Sequence, residues 1–137
     1  MKLSFKIEGG NFSGAGSASS EVKRTLKQLD VDASQIKRIV IALFEAEINV
    51  VAHAYNGKID VEILEDKVFA RIEDKGPGIS DINKAMQEGF STASQKVREM
   101  GFGAGMGLPN IKSNTDNFEI QSDVGKGTIL GMTFYLK

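Results

Sequence analysis

Between Lys2 and Glu8 the apolar residues Leu3, Phe5 and Ile7 alternate with Lys2, Ser4, Lys6 and Glu8, a period of two that predicts a half-buried strand. Four glycines with Asn11 and Ser13 over residues 9–16 then predict a loop. Val22, Leu26 and Leu29 recur at i, i+4 and i+7, so a helix is expected from Ser17 or Ser19 to Asp30, with Ser19 as a candidate N-cap. Ser34 is the next candidate cap. From Gln35 to about Tyr55 no Gly or Pro interrupts a run rich in Ile, Ala, Val, Leu and Glu. This second helix is apolar nearly all round, which predicts a central and mostly covered element.

Asn56-Gly57 is expected to close that helix, because both residues tolerate the left-handed conformation at a helix end. Residues 58–64 and 67–73 alternate around Glu65-Asp66 and predict a hairpin. Asp74-Lys75-Gly76-Pro77-Gly78 forces a loop, after which Ile79 and the candidate cap Ser80 open a short helix to about Glu88. Residues 89–107 show no apolar period and contain Gly89, Gly101, Gly103, Gly105 and Gly107; a loop of that length is usually functional. Residues 108–115 predict a short helix with Pro109 in its first turn, and 118–122 and 128–136 predict two closing strands around Asp123-Val124-Gly125-Lys126-Gly127. The order β α α β β α, a glycine loop, then α β β predicts an α+β fold, a mixed and mostly antiparallel sheet with helices packed on one face. Residues 1–137 are expected to form a single domain without internal repeat or linker.

Composition narrows the function classes. Hydrophobic residues at 41% and charged residues at 26% are those of a globular protein. Seventeen Lys and Arg against 18 Asp and Glu leave a net charge of -1, which argues against nucleic acid or an anionic membrane as partner. The absence of Cys removes disulfides, thiolate metal sites and a thiol nucleophile, and one histidine, His53, is too few for a usual zinc site. No stretch has signal-peptide or membrane-span character, so a soluble cytoplasmic protein is expected. Glycine is the outlier, at 15 of 137 residues against an average usage of about 7%.

Three groups of residues carry candidate chemistry. Glu45, Asn49 and His53 are spaced i, i+4, i+8 and fall within about 80° of one another on a helix, a polar strip on an apolar element. A solvated stripe would have the same spacing, but Ala42, Ala46, Val50 and Val51 around it are not solvent-facing types. Glu47 lies on another side and is read as a surface or helix-packing charge. Asp74 ends a strand with a carboxylate able to accept from an exocyclic amine, while Gly76 and Gly78 let a flat ring approach the backbone. Gly101-Phe102-Gly103-Ala104-Gly105-Met106-Gly107-Leu108 presents backbone N–H groups beside a helix N-terminus, a setting for phosphates, although a hinge would use the same glycines. Walker A fails because Lys126 is followed by Gly127, the dinucleotide fingerprint fails on spacing, and the eukaryotic-type kinase set lacks its catalytic loop.

In combination these residues resemble the GHKL superfamily, the Bergerat-fold ATP-binding domain shared by gyrase, Hsp90, sensor histidine kinases and MutL. Glu45-x-x-x-Asn49 resembles its N box, Asp74-x-Gly76-x-Gly78 its G1 box, Gly103-x-Gly105-x-Gly107-Leu108 its G2 box, and Gly125-x-Gly127-Thr128 its last conserved loop. The match spans essentially the whole chain, and a length of 137 residues resembles the small stand-alone serine/threonine kinases of bacterial partner-switching pathways, the anti-sigma factors and stressosome switch kinases. Glu88-Gly89-Phe90-Ser91-Thr92 and Gly103-Ala104-Gly105-Met106-Gly107-Leu108-Pro109 are closer in style to the switch kinases. Gly103 stands where sporulation-type anti-sigma kinases have Arg, a departure that bears on sigma-factor binding, with Arg98 near enough to compensate; residues 95–100 are an insertion in the lid.

The resemblance implies a two-layer sandwich with a glycine-rich ATP lid, and ATP and Mg²⁺ as ligands. It implies that Asp74 accepts from the adenine amino group with Thr128 assisting, and that Gly76, Gly78 and the adjoining Ile79 seat the base. Asn49 would hold Mg²⁺, an oxygen ligand for a hard cation. Backbone N–H groups of Gly103, Ala104, Gly105, Met106, Gly107 and Leu108 would close over the phosphates, with Ser91 and Thr92 at the start of the lid. Glu45 would orient and deprotonate the incoming hydroxyl. The implied activity is a serine/threonine protein kinase acting on a STAS-domain antagonist protein. The alternative is a non-catalytic, nucleotide-gated module that holds a sigma factor or another regulatory target. Relatives include homodimers. The third reading is a glycine-rich α+β domain that binds no nucleotide. Lys23, Arg24 and Lys27 on the first helix would present a charged surface to a partner or simply be solvated.

Overall fold

Among the described residues, one face of a five-stranded sheet carries the alternating apolar residues, and three helices cover it. The computed structural model describes residues 1–79, 82, 86 and 107–136. The elements are β1 (Lys2–Glu8), α1 (Ser17–Gln28), α2 (Ala33–His53), β2 (Asn56–Ile63), β3 (Lys67–Lys75), α3 (Gly107–Asn114), β4 (Asn117–Asp123) and β5 (Gly127–Tyr135), with a 3₁₀ turn at Phe12–Gly14. Strand order is β1-β2-β3-β5-β4 and all four pairings are antiparallel, as hairpin-connected strands allow. The α+β expectation holds, with no parallel pair among the described residues.

The strands follow their period-two pattern. Ile59, Val61 and Ile63 on β2 and Val68, Ala70 and Ile72 on β3 are buried toward the helices, while Lys58, Arg71 and Glu73 face out. α2 lies across this face, burying Ile39, Leu43, Ala46 and Val50, with α1 on one side and α3 on the other. Its central position agrees with its apolar composition.

The element boundaries differ from the sequence expectation at three caps. Asp32, not Ser34, is the N-cap of α2, its carboxylate accepting from Ser34 N–H at 3.2 Å. Asn56-Gly57 is not the left-handed end of α2, since neither residue has positive φ. α2 stops at His53, the chain extends through Ala54, and Asn56 and Gly57 already pair with Lys75 and Asp74. Ser19 does not cap α1 either. The N-cap is Gly16, without a side chain to offer, and Ser19 Oγ donates back to Gly16 O at 3.1 Å. The expected helix over 80–88 lies outside the described residues, save Ile82 and Met86, where Met86 N–H donates to Ile82 O at 3.0 Å.

Candidate functional site

Glu45 and Asn49 stand one turn apart on the side of α2 that meets α3. Gly107 opens α3 directly against Asn49; a β-carbon there would lie 3.1 Å from Asn49 Oδ1, tighter than an ordinary contact. One turn further along α3, Asn110 is the polar side chain that acts on the Glu45 carboxyl. Burial raises the pKa of Glu45, and Asn110 offsets that only in part. His53, the third member of the strip, is also partly buried, and desolvation of the charged form lowers its pKa.

Asp74 occupies the other end of the site. It is the penultimate residue of β3, and its Oδ1 accepts from Thr128 N–H of β5 at 3.1 Å. Two glycines make that approach possible. Gly127 has φ +137, and a side chain there would put a β-carbon 2.1 Å from Asp74 O. Gly76 lies against the end of α2, where a β-carbon would be 2.9 Å from Ala54 Cα and 3.5 Å from Asp74 Oδ1. Burial raises the Asp74 pKa, opposed by the Thr128 N–H bond.

Ser122 on β4 ties this end together. Its Oγ accepts from Ile79 N–H at 2.7 Å, donates to Gly127 O at 3.1 Å and lies 2.8 Å from Thr128 Oγ1. A hydroxyl has one proton, so with that proton on Gly127 O the Thr128 hydroxyl is the donor of the third bond. Thr128 then has only oxygen lone pairs left to offer a ligand. Gly125 N–H also donates to Pro77 O at 2.8 Å, which joins the β4–β5 turn to the loop after β3. From Glu45 to Ala54, beside which Gly76 and Asp74 lie, is about 13 Å along the helix axis at ~1.5 Å per residue, so the two carboxyls stand well apart along α2.

The sequence reading placed Glu45, Asn49, Asp74, Gly76, Gly78, Ile79, Gly107, Leu108 and Thr128 in the site, and the fold gathers them around one end of α2, the start of α3 and the β3–β5 corner. Ser91, Thr92, Gly103, Ala104, Gly105 and Met106, with Arg98 and the insertion over 95–100, lie outside the described residues. Asn110 and Ser122 were not singled out. Ser122 could have been found as a polar residue on the inward phase of β4, between Phe118, Ile120 and the turn.

Glu47 overturns half of its sequence reading. It is a helix-packing charge and not a surface one, with 1% of its area exposed. Its carboxylate points away from the site and accepts from the backbone N–H groups of Gly16 at 2.9 Å, Ala18 at 3.3 Å and Ser19 at 3.2 Å. It is the cap that α1 lacks in its own sequence.

Among the described residues no group of three or more His, Asp or Glu could hold a metal ion. Mg²⁺ keeps several waters and takes its remaining ligands from substrate phosphates, so it needs few protein oxygens, and Asn49 Oδ1 beside the start of α3 could supply one. Among the described residues no helix is long and apolar enough to cross a membrane.

Residues 15–134 match the family model of the histidine kinase-like ATPase domain. The chain belongs to that family. It is 38% identical over 114 residues to the anti-sigma F factor of Caldanaerobacter subterraneus subsp. tengcongensis, covering 80% of this chain and 76% of that protein. It is 36% identical over 112 residues to the serine/threonine-protein kinase RsbT of Bacillus subtilis, covering 77% of each. A solved structure of the RsbU and RsbW domains of a Mycobacterium tuberculosis protein superimposes with a TM-score of 0.68 at 18% identity. It covers 99% of this chain and 32% of that one, and shows the fold. The family assignment agrees with the resemblance carried by the Glu45, Asp74, Gly107 and Thr128 motifs.

Proposed function

We propose that this chain is an ATP- and Mg²⁺-dependent serine/threonine protein kinase that phosphorylates a STAS-domain antagonist protein in a partner-switching pathway. The observation that carries the reading is the setting of Glu45. ATP binding needs no general base, yet a carboxyl whose pKa is raised by burial stands one turn before Asn49, on the side of α2 that meets α3. In this reading Glu45 takes the proton of the incoming serine or threonine hydroxyl. Asn49 supplies an oxygen to the Mg²⁺ that neutralises phosphate charge, Asp74 accepts from the adenine amino group, and the start of α3 at Gly107 and Leu108 turns backbone N–H groups toward the phosphates. Positioning and charge neutralisation provide most of the acceleration in phosphoryl transfer, so one base and one cation ligand suffice.

A second reading, a nucleotide-gated module that sequesters a sigma factor without turnover, is favoured by the anti-sigma F factors among the relatives. The two separate in one experiment. Purified protein is incubated with Mg²⁺, radiolabelled ATP and the STAS-domain proteins of the same genome, with Glu45→Ala and Asp74→Asn alongside. Label on one STAS protein with wild type alone supports the kinase. ATP binding without label on any of them, lost in Asp74→Asn, supports the sequestering module.

A further inference from the structure

The first three turns of α2 and the second half of α1 enclose a groove of about 570 Å³ that the nucleotide site does not use. Its floor is apolar: Val31, Val40 and Ile41 are only partly covered, and Phe44, 37% exposed, continues the same face of α2. A helix face that looked permanently onto water would carry Lys, Glu or Gln at such positions.

The rim is basic. Lys23 and Lys27, at i and i+4 on α1, and Lys37 on α2 line it against one acid, Asp30. The arginines of the same two helices are paired, Arg24 with Glu21 at 2.6 Å and Arg38 with Asp116 at 2.7 Å. The three rim lysines have no ion pair among the described residues. Positive charge is left over where apolar surface is left uncovered, on a chain whose net charge is -1.

We propose that this groove docks an acidic amphipathic helix of a partner protein, its apolar stripe on Val31, Val40 and Ile41 and its carboxylates on the lysines. Helix-in-groove recognition needs an apolar floor and flanking charges of opposite sign to the helix, and both are present. A membrane would favour a convex basic face; this surface is concave and includes Asp30. The inference does not depend on phosphoryl transfer, because Glu45, Asn49 and Asp74 lie outside the groove.

The test uses the full chain and two short helical peptides with the same leucine stripe, one with Glu and one with Lys at the remaining positions. Fluorescence anisotropy is expected to show the acidic peptide bound at least roughly tenfold more tightly than the basic one, with affinity falling as salt rises. The triple variant Lys23→Glu, Lys27→Glu, Lys37→Glu is expected to lose roughly tenfold or more of that binding, and amide shifts at Val31, Val40 and Ile41 are expected to mark the site. Its thermal shift with Mg-ATP should match wild type, which shows that the variant folds and keeps a failed groove distinct from a failed nucleotide site. Equal binding of the two peptides, no binding of either, or binding indifferent to the triple reversal would overturn the proposal. Retention on phosphatidylserine vesicles in place of the acidic peptide would overturn it in favour of a membrane.

Discussion

Glu45 and Glu47 stand two residues apart on α2, about 200° around the helix, and their carboxyl groups are in opposite circumstances. Glu47 is buried and its carboxylate is answered by the backbone: three N–H groups at the start of α1 converge on it. Glu45 is half-buried, has no backbone donor on its carboxyl among the described residues, and keeps its proton more readily than a solvated carboxyl. The comparison teaches that burial alone does not mark a chemical group. A buried carboxylate saturated by fixed donors holds two elements together, whereas a partly desolvated one with unspent acceptor capacity has something left to offer a ligand.

The widest separation is expected in function. Glu45→Gln keeps the shape but cannot take a proton, so transfer to a STAS protein should fall by about 10²–10⁴-fold. The melting temperature should stay level or rise slightly, since a partly desolvated charge is removed. Single-turnover transfer and a thermal melt on the same preparation read both. Undiminished transfer sinks the role of Glu45 as base.

Glu47→Ala should do the reverse. It orphans the N–H groups of Gly16, Ala18 and Ser19, and at about 1–3 kcal/mol for each unsatisfied buried donor, partly recovered by relaxation, a loss of about 3 kcal/mol is expected. That corresponds to a fall in melting temperature of roughly 10 °C for a chain of this size. Under conditions where the variant remains folded, ATP binding should persist. A change of less than about 2 °C in the melt would mean that the carboxylate does not hold α1, and the contrast with Glu45 would collapse.

The two glutamates also show what the sequence could and could not disclose. Glu45 was legible because its partners in chemistry are local: Asn49 and His53 repeat at helical spacing on one strip, and the glycine motifs follow in order. Glu47 was not, because its donors lie 28 to 31 residues away and belong to the backbone, which carries no residue-type signal. The misplaced cap at Ser19 is the same error seen from α1. Ser19 has the right side chain for an N-cap, but a stronger acceptor arrives from another element and the serine turns back to Gly16 O. The strands and their inward faces were legible from alternation, since a period of two and a one-sided core admit one register of burial. Asn56-Gly57 was misassigned because the left-handed tendency of the pair yields to pairing with Lys75 and Asp74.

Asp74 sharpens the comparison at the far end of the site, because it combines a structural bond with an unspent one. Asp74→Asn retains an oxygen for Thr128 N–H, so the protein without ligand should be as stable as wild type or more so, its desolvated charge being gone. What should vanish is the stabilisation by Mg-ATP, about 2.7 kcal/mol for wild type at a ligand concentration ~100 times the dissociation constant. Differential scanning fluorimetry with and without Mg-ATP reads both effects. An undiminished shift in Asp74→Asn would remove Asp74 from the nucleotide site.

His53, the last residue of the polar strip, gives the smallest effect and the sign must be separated from its neighbours. Burial lowers its folded-state pKa, so stability is full above the ordinary histidine value near 6.5 and is lost as pH falls from there through the folded value. Glu45 and Asp74 act oppositely: their raised folded pKa values mean that stability is gained as pH falls through them. Asp116, held below the ordinary carboxylate range by its bond from Arg38, acts only in stronger acid. Denaturant unfolding from about pH 7.5 to about pH 5.5 should therefore show a shallow loss of stability that is steeper in a Glu45→Gln, Asp74→Asn background, where the opposing carboxyls are gone. Adding His53→Gln to that background should flatten it. A slope that survives His53→Gln would place the titrating group elsewhere, and would leave the strip with two members that titrate or bind, Glu45 and Asn49, and a third that only fills space.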